Sequence, residues 1–258
     1  MKKYICVIIS IIILGISCII IFNYKDKKEK ILVKVDRNKQ VNMEKYIYNV
    51  ICNEMSEYYD YEAVKAFCVV VRTNIIYNLV EEMAEAREDK IINIIDVDMP
   101  YSENNFAIKS KENIVKAINE TKGEVCLYKN RIVYLPYHKV SSGRTDNKQT
   151  NKGNVIPYLK MANCSEDIEN KDYLKIYYYD IQSNEDKIKE NISNKFKDSY
   201  ITYSLDEVDN RLRVVTKGTG HNYGMSLYNA YIMSKKGYNY GEILNKFYKN
   251  VCIARVYE

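Results

Sequence analysis

Residues 61–73, YEAVKAFCVVVRT, are the stretch from which the fold of this chain can best be predicted. Its apolar residues recur, through the next turns as well, at the spacing of one helical face: Val64, Phe67, Cys68, Val71, Ile75 and Leu79. This periodicity predicts a helix with a buried stripe, and Asp60 is placed to cap its N-terminus. Lys65 and Arg72 stand about two turns apart, so they share a face of the helix.

The segment before this helix ends in a carboxylate. Residues 43–54 have the pattern of a short amphipathic helix, and Glu54 is its last residue. The sequence therefore predicts that Glu54 lies near the two cations, Lys65 and Arg72. Spacing alone is more typical of a solvated glutamate with two ordinary surface cations.

The rest of the chain mixes predicted strands and helices, which gives an α+β fold class. Strands are predicted at 31–35, 91–97, 174–179 and 211–216, and helices at 111–119, 185–196, 225–235 and 240–248. Residues 124–128 and 131–137 predict a hairpin that turns at Lys129 and Asn130. The polar loop 138–150 follows, and such loops commonly carry binding residues. Residues 31–258 are expected to form one domain, with two lobes as the alternative.

Three blocks of sequence, in order, carry a resemblance. Residues 54–73, 121–145 and 220–230 contain EM…EAVKA…VRT, TKGEV…YHKVSSGRT and GHNYGMSLYNA. They resemble the motifs EMP…EALKAQAVAARTY, T-x-G-x-V…Y-H-S-x-S-G-G-x-T and G-H-G-x-G-M-S-Q-x-G-A of the stage II sporulation protein D (SpoIID/LytB) family. On these motifs the chain is identified as a divergent member of that family.

The resemblance implies a lytic transglycosylase that cleaves peptidoglycan glycan strands stripped of stem peptides, in spore engulfment or wall remodelling. Glu54 is the implied general acid and base. One carboxyl suffices because the 6-hydroxyl of muramic acid attacks the anomeric carbon, whereas ordinary glycosidases need two. The residues expected to bind substrate or support the site are Lys65, Arg72, His138, Ser141, Thr145, His221 and Ser226. The implied partners are glycan strands, a peptidoglycan amidase and engulfment membrane proteins, with no cofactor.

The blocks also depart from the family motifs. Ser56 replaces proline and Ser142 replaces glycine, while Asn222, Leu227 and Asn229 stand where the third motif has glycine, glutamine and glycine. Asparagine tolerates positive φ best after glycine, so the two asparagines are mild changes. Leu227 removes an amide that is able to hydrogen-bond a sugar or a neighbouring loop. The alternative function is therefore a non-catalytic glycan-binding or amidase-enhancing protein that uses the same groove.

The N-terminus predicts a membrane anchor. Residues 5–22 are uncharged and long enough to span a bilayer core, so a retained single-pass anchor with a charged linker to residue 30 is expected. A cleaved signal peptide and a lipoprotein site at 14–18 are alternatives. Four lysines follow the span and two precede it, a count that favours a cytoplasmic body. An extracytoplasmic domain is expected instead, because the resembled family acts on the wall.

Charge and cysteine content exclude other classes. Of the net charge of +5, residues 1–30 hold +4, and a nearly neutral body argues against nucleic-acid binding. Five cysteines follow the span, without a CxxC pair, and are expected to be mainly buried apolar residues. Some family members bind zinc through the second-block histidine and following cysteines, but residues 139–150 contain none, so no metal is expected. The absence of a GxSxG elbow argues against a serine hydrolase.

Overall fold

The computed structural model describes residues 31–36, 39–55, 60–85, 94–96, 111–180, 185–197, 202–209 and 211–257. Within them the chain is α+β, as the sequence predicted. The helices are α1 (Met43–Glu54), α2 (Tyr61–Glu85), α3 (Lys111–Glu120), α4 (Glu185–Lys197), α5 (Leu227–Lys235) and α6 (Tyr240–Phe247). The longer strands are β1 (Leu32–Asp36), β2 (Lys39–Asn42), β3 (Ile94–Asp96), β4 (Glu124–Tyr128), β7 (Leu174–Asp180), β8 (Thr202–Val208), β9 (Arg211–Lys217) and β11 (Val251–Arg255). Three two-residue strands are β5 (Arg131–Ile132), β6 (Tyr137–His138) and β10 (Met225–Ser226), and a 3-10 helix covers Ser165–Glu169.

Helix α2 is the centre of the molecule. The six residues of its predicted stripe are all buried, but so are the residues between them, from Ala66 to Ile76. A helix that is apolar on all sides is enclosed by other elements, and α2 packs against α1, α3, α5, α6 and β4. Its segment Tyr61–Ala84 is long and apolar enough to cross a bilayer, yet 78% of its most apolar stretch is buried inside the protein. It is therefore the core helix, and the predicted anchor at 5–22 lies outside the described residues.

Four small sheets surround this core, in the orders β2-β1-β3, β11-β4-β5, β10-β6 and β7-β9-β8. The turn between β4 and β5 confirms the predicted hairpin, since Lys129 and Asn130 both have positive φ (50° and 60°), as a tight hairpin turn requires. The sequence did not predict β2, β8, β11 or the two-residue strands β6 and β10.

The second hairpin strand, predicted through residue 137, ends at Ile132. The side-chain amide of Asn74 on α2 bonds both backbone groups of Leu135, accepting from its N–H at 2.7 Å and donating to its carbonyl at 2.9 Å. Pro136 then lacks an N–H altogether. A helix side chain therefore replaces the strand partner, and the chain is released to form β6 beside β10.

The described chain has two hydrophobic clusters. The larger surrounds α2 within residues 31–173 and 218–257, here called the main lobe. The smaller consists of Ile192, Leu212 and Val214 within Leu174–Lys217, here called the β insert. Of the five cysteines after residue 30, four are buried, as predicted, and Cys252 is exposed.

Candidate functional site

Glu54 occupies the C-terminal end of α1. The helix starts at a capped N-terminus, where the side chain of Asn42 accepts a hydrogen bond from the N–H of Glu44 at 3.0 Å. It ends where Met55, which is fully buried, donates its N–H to the carbonyl of Ile51. The buried side chain of Met55 fixes the end of the helix, and Glu54 beside it is half-buried.

The surroundings of Glu54 favour its protonated form. Burial raises the pKa of this carboxyl above its ordinary value of 4.5, and the positive charge of Lys139 pulls it partly back. Tyr137 is the other second-block residue coupled to Glu54: burial first, and then the charge of Glu54, raise the pKa of its phenol. The Tyr137 ring lies edge-on against Phe67 of α2, with centroids 4.7 Å apart. The electrostatic neighbours of Glu54 in the second sequence block are therefore Tyr137 and Lys139.

The second and third blocks are joined to each other. Strands β6 and β10 pair in parallel, with His138 opposite Ser226. Two glycines permit this approach: a Cβ at Gly224 would stand 1.9 Å from the carbonyl oxygen of Pro136, and one at Gly220 would stand 2.5 Å from the Cβ of His138. Both also have positive φ (67° and 116°). The third block therefore needs these glycines for close backbone packing.

His138 is a buried, neutral base. Its Nδ1 lies 3.1 Å from the carbonyl oxygen of Tyr223, so Nδ1 carries the proton and Nε2 is left as an acceptor. Within the described residues Nε2 has no hydrogen-bond partner. Burial, with a smaller contribution from His221, lowers the pKa of His138 to about 3. The ring therefore stays uncharged at physiological pH and cannot serve as a cationic acid.

His221 lies on the far side of His138 in an aromatic cluster. Its ring centroid is 5.7 Å from that of His138 and 5.6 Å from that of Tyr223. The ammonium of Lys148 lies 4.3 Å from the centre of the Tyr223 ring. Partial loss of hydration, and then the charge of Lys148, lower the pKa of His221, although the residue is exposed to solvent.

Ser141 and Ser226 are held by a residue that sequence analysis missed. Asp167 is fully buried, and its Oδ2 accepts from the N–H of Ser141 at 2.7 Å and from the hydroxyl of Ser226 at 2.6 Å. Burial raises the pKa of Asp167, while these hydrogen bonds pull it back. The contacts span 26 and 59 residues of sequence, and no motif marks Asp167, so nothing in the sequence indicates it.

Thr145 braces the same loop. Its N–H donates to the carbonyl of Ala162, and its hydroxyl accepts from the N–H of Ala162, both at 2.8 Å. Ser141, Thr145 and Ser226 are all fully buried, so in this structure they support the site and do not face a ligand.

The unusual residues of the third block are accommodated. Asn222 has a φ of 62°, which confirms that asparagine stands where positive φ is needed. Its side chain accepts from the N–H of Ser142 at 3.2 Å and donates to Asp146 Oδ2 at 2.6 Å. Asn229 lies within α5, where its amide bonds Glu166 and Lys246. Leu227 is fully buried in the core, so an amide at this position would meet protein groups and not a sugar; the expected bond to a neighbouring loop stays a prediction.

Arg72 has another acid as its partner. Its guanidinium donates to both carboxylate oxygens of Glu44, at 3.1 and 2.7 Å, and to the carbonyl of Glu124 at 3.3 Å. Glu44 starts α1 and Glu54 ends it, a separation of about 15 Å along the helix. The predicted proximity of Arg72 and Glu54 is therefore wrong, although a supporting role for Arg72 stays a prediction.

Lys65 shares the helix face of Arg72, as predicted, and also has its own partners. Its ammonium lies 3.1 Å from Glu62, 3.5 Å from Glu120 and 4.5 Å from the centre of the Tyr240 ring. Phe67, which contacts Tyr137, is two residues on and points about 200° away around the helix. The two cations therefore lie on the side of α2 opposite to Tyr137. A substrate-binding role for Lys65 stays a prediction that these contacts do not support.

No group of three or more His, Cys, Asp or Glu side chains suited to a metal ion is found in the part of the chain that the structure describes. The expectation of a metal-free site stays a prediction.

The geometry defines a class of protein: an α+β domain with a half-buried glutamate at a helix end, whose electrostatic neighbours lie on a loop that pairs with a second loop. The family of stage II sporulation proteins called SpoIID matches residues 33–128. Stage II sporulation protein D of Bacillus amyloliquefaciens is 22% identical, over 83% of this chain and 74% of that protein. The Bacillus subtilis protein of the same name is also 22% identical, over 83% and 75%. An uncharacterized protein of Brachyspira hyodysenteriae is 24% identical, over 83% and 67%. The chain belongs to the SpoIID family.

Proposed function

We propose that this protein is a peptidoglycan lytic transglycosylase in which Glu54 is both general acid and general base. The observation that carries the proposal is the environment of Glu54, where burial raises the pKa of a carboxyl at a rigid helix end. A proton donor that acts near neutral pH needs such a raised pKa.

In the proposed reaction, protonated Glu54 gives its proton to the glycosidic oxygen as the bond to the anomeric carbon breaks. The 6-hydroxyl of the same muramic acid then attacks that carbon, and the Glu54 carboxylate takes the hydroxyl proton. The products are a 1,6-anhydro end and a free 4-hydroxyl, and Glu54 returns to its starting state. No outside nucleophile is required.

The other acid of the helix that carries Glu54 does not supply a second catalytic carboxyl. Hydrolases with two carboxyl groups place them about 5–9.5 Å apart. Glu44, the other acid of α1, is about 15 Å away along the helix axis and is bonded to Arg72. It therefore cannot serve as a second catalytic carboxyl.

The second and third sequence blocks support this site through their contacts with each other. His138 and Ser226 pair across β6 and β10, and Asp167 ties Ser141 to Ser226. This framework fixes the backbone of Tyr137 and Lys139, the electrostatic neighbours of Glu54. We also propose that the domain is attached through residues 5–22 and faces the cell wall, where glycan strands are available.

The test uses the full-length chain with glycan strands that an amidase has stripped of peptides, and mass spectrometry of the products. We expect 1,6-anhydro ends from the unchanged protein and a loss of about 10²- to 10⁴-fold in rate with Glu54→Gln, which cannot donate the proton. Strand binding and the unfolding transition should change little. If strands are bound without cleavage, the non-catalytic glycan-binding alternative is correct. Full activity of Glu54→Gln would remove this residue from the mechanism.

A further inference from the structure

We propose that Asn222 is a positioning residue, which fixes the ring nitrogen of His138 that carries the proton. It does so by joining the turn 220–224 to the loop 138–150 through its side chain and its carbonyl group. The Nε2 of His138 is thereby held as a hydrogen-bond acceptor. The effect on the ring is independent of any reaction, whereas its consequence for cleavage rests on the proposed function.

The side chain of Asn222 is buried and makes three hydrogen bonds to the loop. Its Oδ1 accepts from the backbone N–H of Ser142 at 3.2 Å. Its Nδ2 donates to the hydroxyl of Ser142 at 3.2 Å and to Asp146 Oδ2 at 2.6 Å. The carbonyl of Asn222 also accepts from the backbone N–H of Asp146 at 2.8 Å. Loss of these partners would leave buried polar groups unpaired, so the two segments are held in one arrangement.

Ser142 and Asn222 form this link as a pair. Both stand where the motifs that this chain resembles have glycine. With glycine at both positions none of the three side-chain bonds could form, because glycine has no side-chain donor or acceptor. The chain therefore has a connection between its second and third blocks that the glycine motifs lack.

The turn that Asn222 holds also holds the ring of His138. The carbonyl of Tyr223, the next residue, lies 3.1 Å from Nδ1 of His138. On the other side of Asn222, Gly220 packs so closely that a Cβ there would lie 2.5 Å from the Cβ of His138. The positive φ of Asn222, 62°, directs the chain between these two contacts. A hydrogen bond to one ring nitrogen determines which nitrogen is protonated, so movement of the turn would release the tautomer.

His221, in the same turn, has the opposite tautomer. Its Nδ1 accepts from the N–H of Tyr223 at 3.1 Å, so the proton of the neutral ring is on Nε2. Burial of His138 and partial loss of hydration at His221 lower both pKa values, so both rings are uncharged at physiological pH. The chain has two histidines, and the structure gives one of each tautomer, which spectroscopy can distinguish.

The measurement is ¹⁵N NMR of the histidine rings in the full-length chain, with His221→Gln to assign the two signals. We expect Nδ1–H for His138 and Nε2–H for His221 in the unchanged protein. Asn222→Gly tolerates the positive φ and removes only the side chain. In this variant the Nδ1 proton of His138 should exchange with solvent about tenfold faster, because the turn opens more often.

Asn229→Gly is the matched control. It also replaces an asparagine of the third block with the glycine of the motif, but its amide bonds Glu166 and Lys246, which lie outside the loop 138–150. The exchange rate at His138 should therefore stay as in the unchanged protein.

A double-mutant cycle tests the pair. Ser142→Gly should speed the exchange at His138 in the unchanged protein and have little further effect in Asn222→Gly, because the shared bonds are already lost. Combined with Asn229→Gly, its effect should be additive. Additive effects of Ser142→Gly and Asn222→Gly would contradict the pairing.

Two results would overturn the positioning role: an Nε2–H tautomer of His138 in the unchanged protein, or an unchanged tautomer and exchange rate in folded Asn222→Gly. If that variant does not fold, Asp146→Ala removes one acceptor of the same side chain without altering residue 222, and the same criteria apply.

The consequence for cleavage has a separate readout. Asn222→Gly should lower kcat/KM on stripped strands by about tenfold, the loss expected for one hydrogen bond. A changed tautomer with unchanged kcat/KM would overturn the part of Asn222 in cleavage. If the unchanged protein cleaves no strands, the proposed function fails, and the NMR measurements still decide whether Asn222 positions His138.

Discussion

The main lobe and the β insert are both made of strands and helices, but they are stabilised in different ways. The main lobe encloses α2 on all sides and ties distant segments together with buried polar contacts such as Arg72 with Glu44. Among its described residues the β insert has a core of three buried apolar side chains on one face of its sheet, while β7 exposes Leu174, Ile176 and Tyr178 on the other. The candidate site residues all lie in the main lobe. The site residues are thus held by the elements that enclose α2, and both lobes have similar kinds of secondary structure.

The largest difference in stability between the two lobes is expected on substitution of Arg72. We expect Arg72→Met to lower the free energy of unfolding by about 3–5 kcal/mol, because it leaves Glu44 without its buried partner. Arg72→Lys should cost less than Arg72→Met but still lower the free energy of unfolding, since lysine cannot contact both carboxylate oxygens and the Glu124 carbonyl as the guanidinium does. The matched change in the β insert is Arg211→Ala, whose partner Asp180 is 3.6 Å away and exposed.

Denaturant unfolding measures both changes. Arg211→Ala should stay within about 0.5 kcal/mol of the unchanged protein, as exposed pairs do. Equal losses at Arg72 and Arg211 would contradict the distinction between the lobes.

Asp167 gives a second, smaller test that includes pH. Asp167→Asn should cost about 1–3 kcal/mol, because an amide cannot replace a buried carboxylate as acceptor for both Ser141 and Ser226 without loss. Burial raises the native pKa of Asp167 above its ordinary 3.8, so the folded state holds this proton more tightly than the unfolded state. Its contribution to stability is therefore present below pH 3.8 and is lost as the pH rises through the native pKa.

Unfolding of both proteins across this pH range is the measurement. The slope attributed to Asp167 should vanish in Asp167→Asn, and Asp180→Asn in the β insert should leave it in place. A slope that persists in Asp167→Asn would assign it to another group.

Removal of the β insert should have little effect on cleavage. Its ends are adjacent, since Leu174 pairs with Lys217 and the N–H of Gly218 donates to the carbonyl of Tyr173 at 2.7 Å. Replacing residues 175–216 with a short Gly-Ser linker closes a small gap at low entropic cost, so we expect activity on stripped strands within about threefold. A folded variant that no longer cleaves would show that the β insert belongs to the glycan groove.

The smallest expected effect is that of chelation. Activity should survive treatment with a metal chelator, and elemental analysis of the purified protein should show no stoichiometric zinc. His138→Ala should lower activity without changing bound metal, because the contact to the Tyr223 carbonyl would be lost. Zinc that leaves together with activity would contradict this prediction.

In both regions the sequence predicted the elements that depend on local patterns and missed those that depend on distant contacts. In the β insert, the local patterns of residues 174–179, 185–196 and 211–216 predicted β7, α4 and β9, while β8 was missed. In the main lobe, the apolar periodicity of residues 61–79 predicted α2 in the same way. The short strands β6 and β10 were missed, because Asn74 and the glycines at 220 and 224 create them through contacts distant in the chain.

The sequence by itself determined the helix at 61–85, the position of Glu54 at a helix end, the hairpin at 129–130 and the family resemblance. These depend on periodicity, turn chemistry and motif order, which are local properties. Only the tertiary structure decided that Arg72 pairs with Glu44, that Asp167 joins two loops, that Leu227 is core and that Lys139 acts on Glu54. Each of these depends on which distant groups are buried together, because burial strengthens polar contacts and shifts pKa values in ways that residue spacing does not encode.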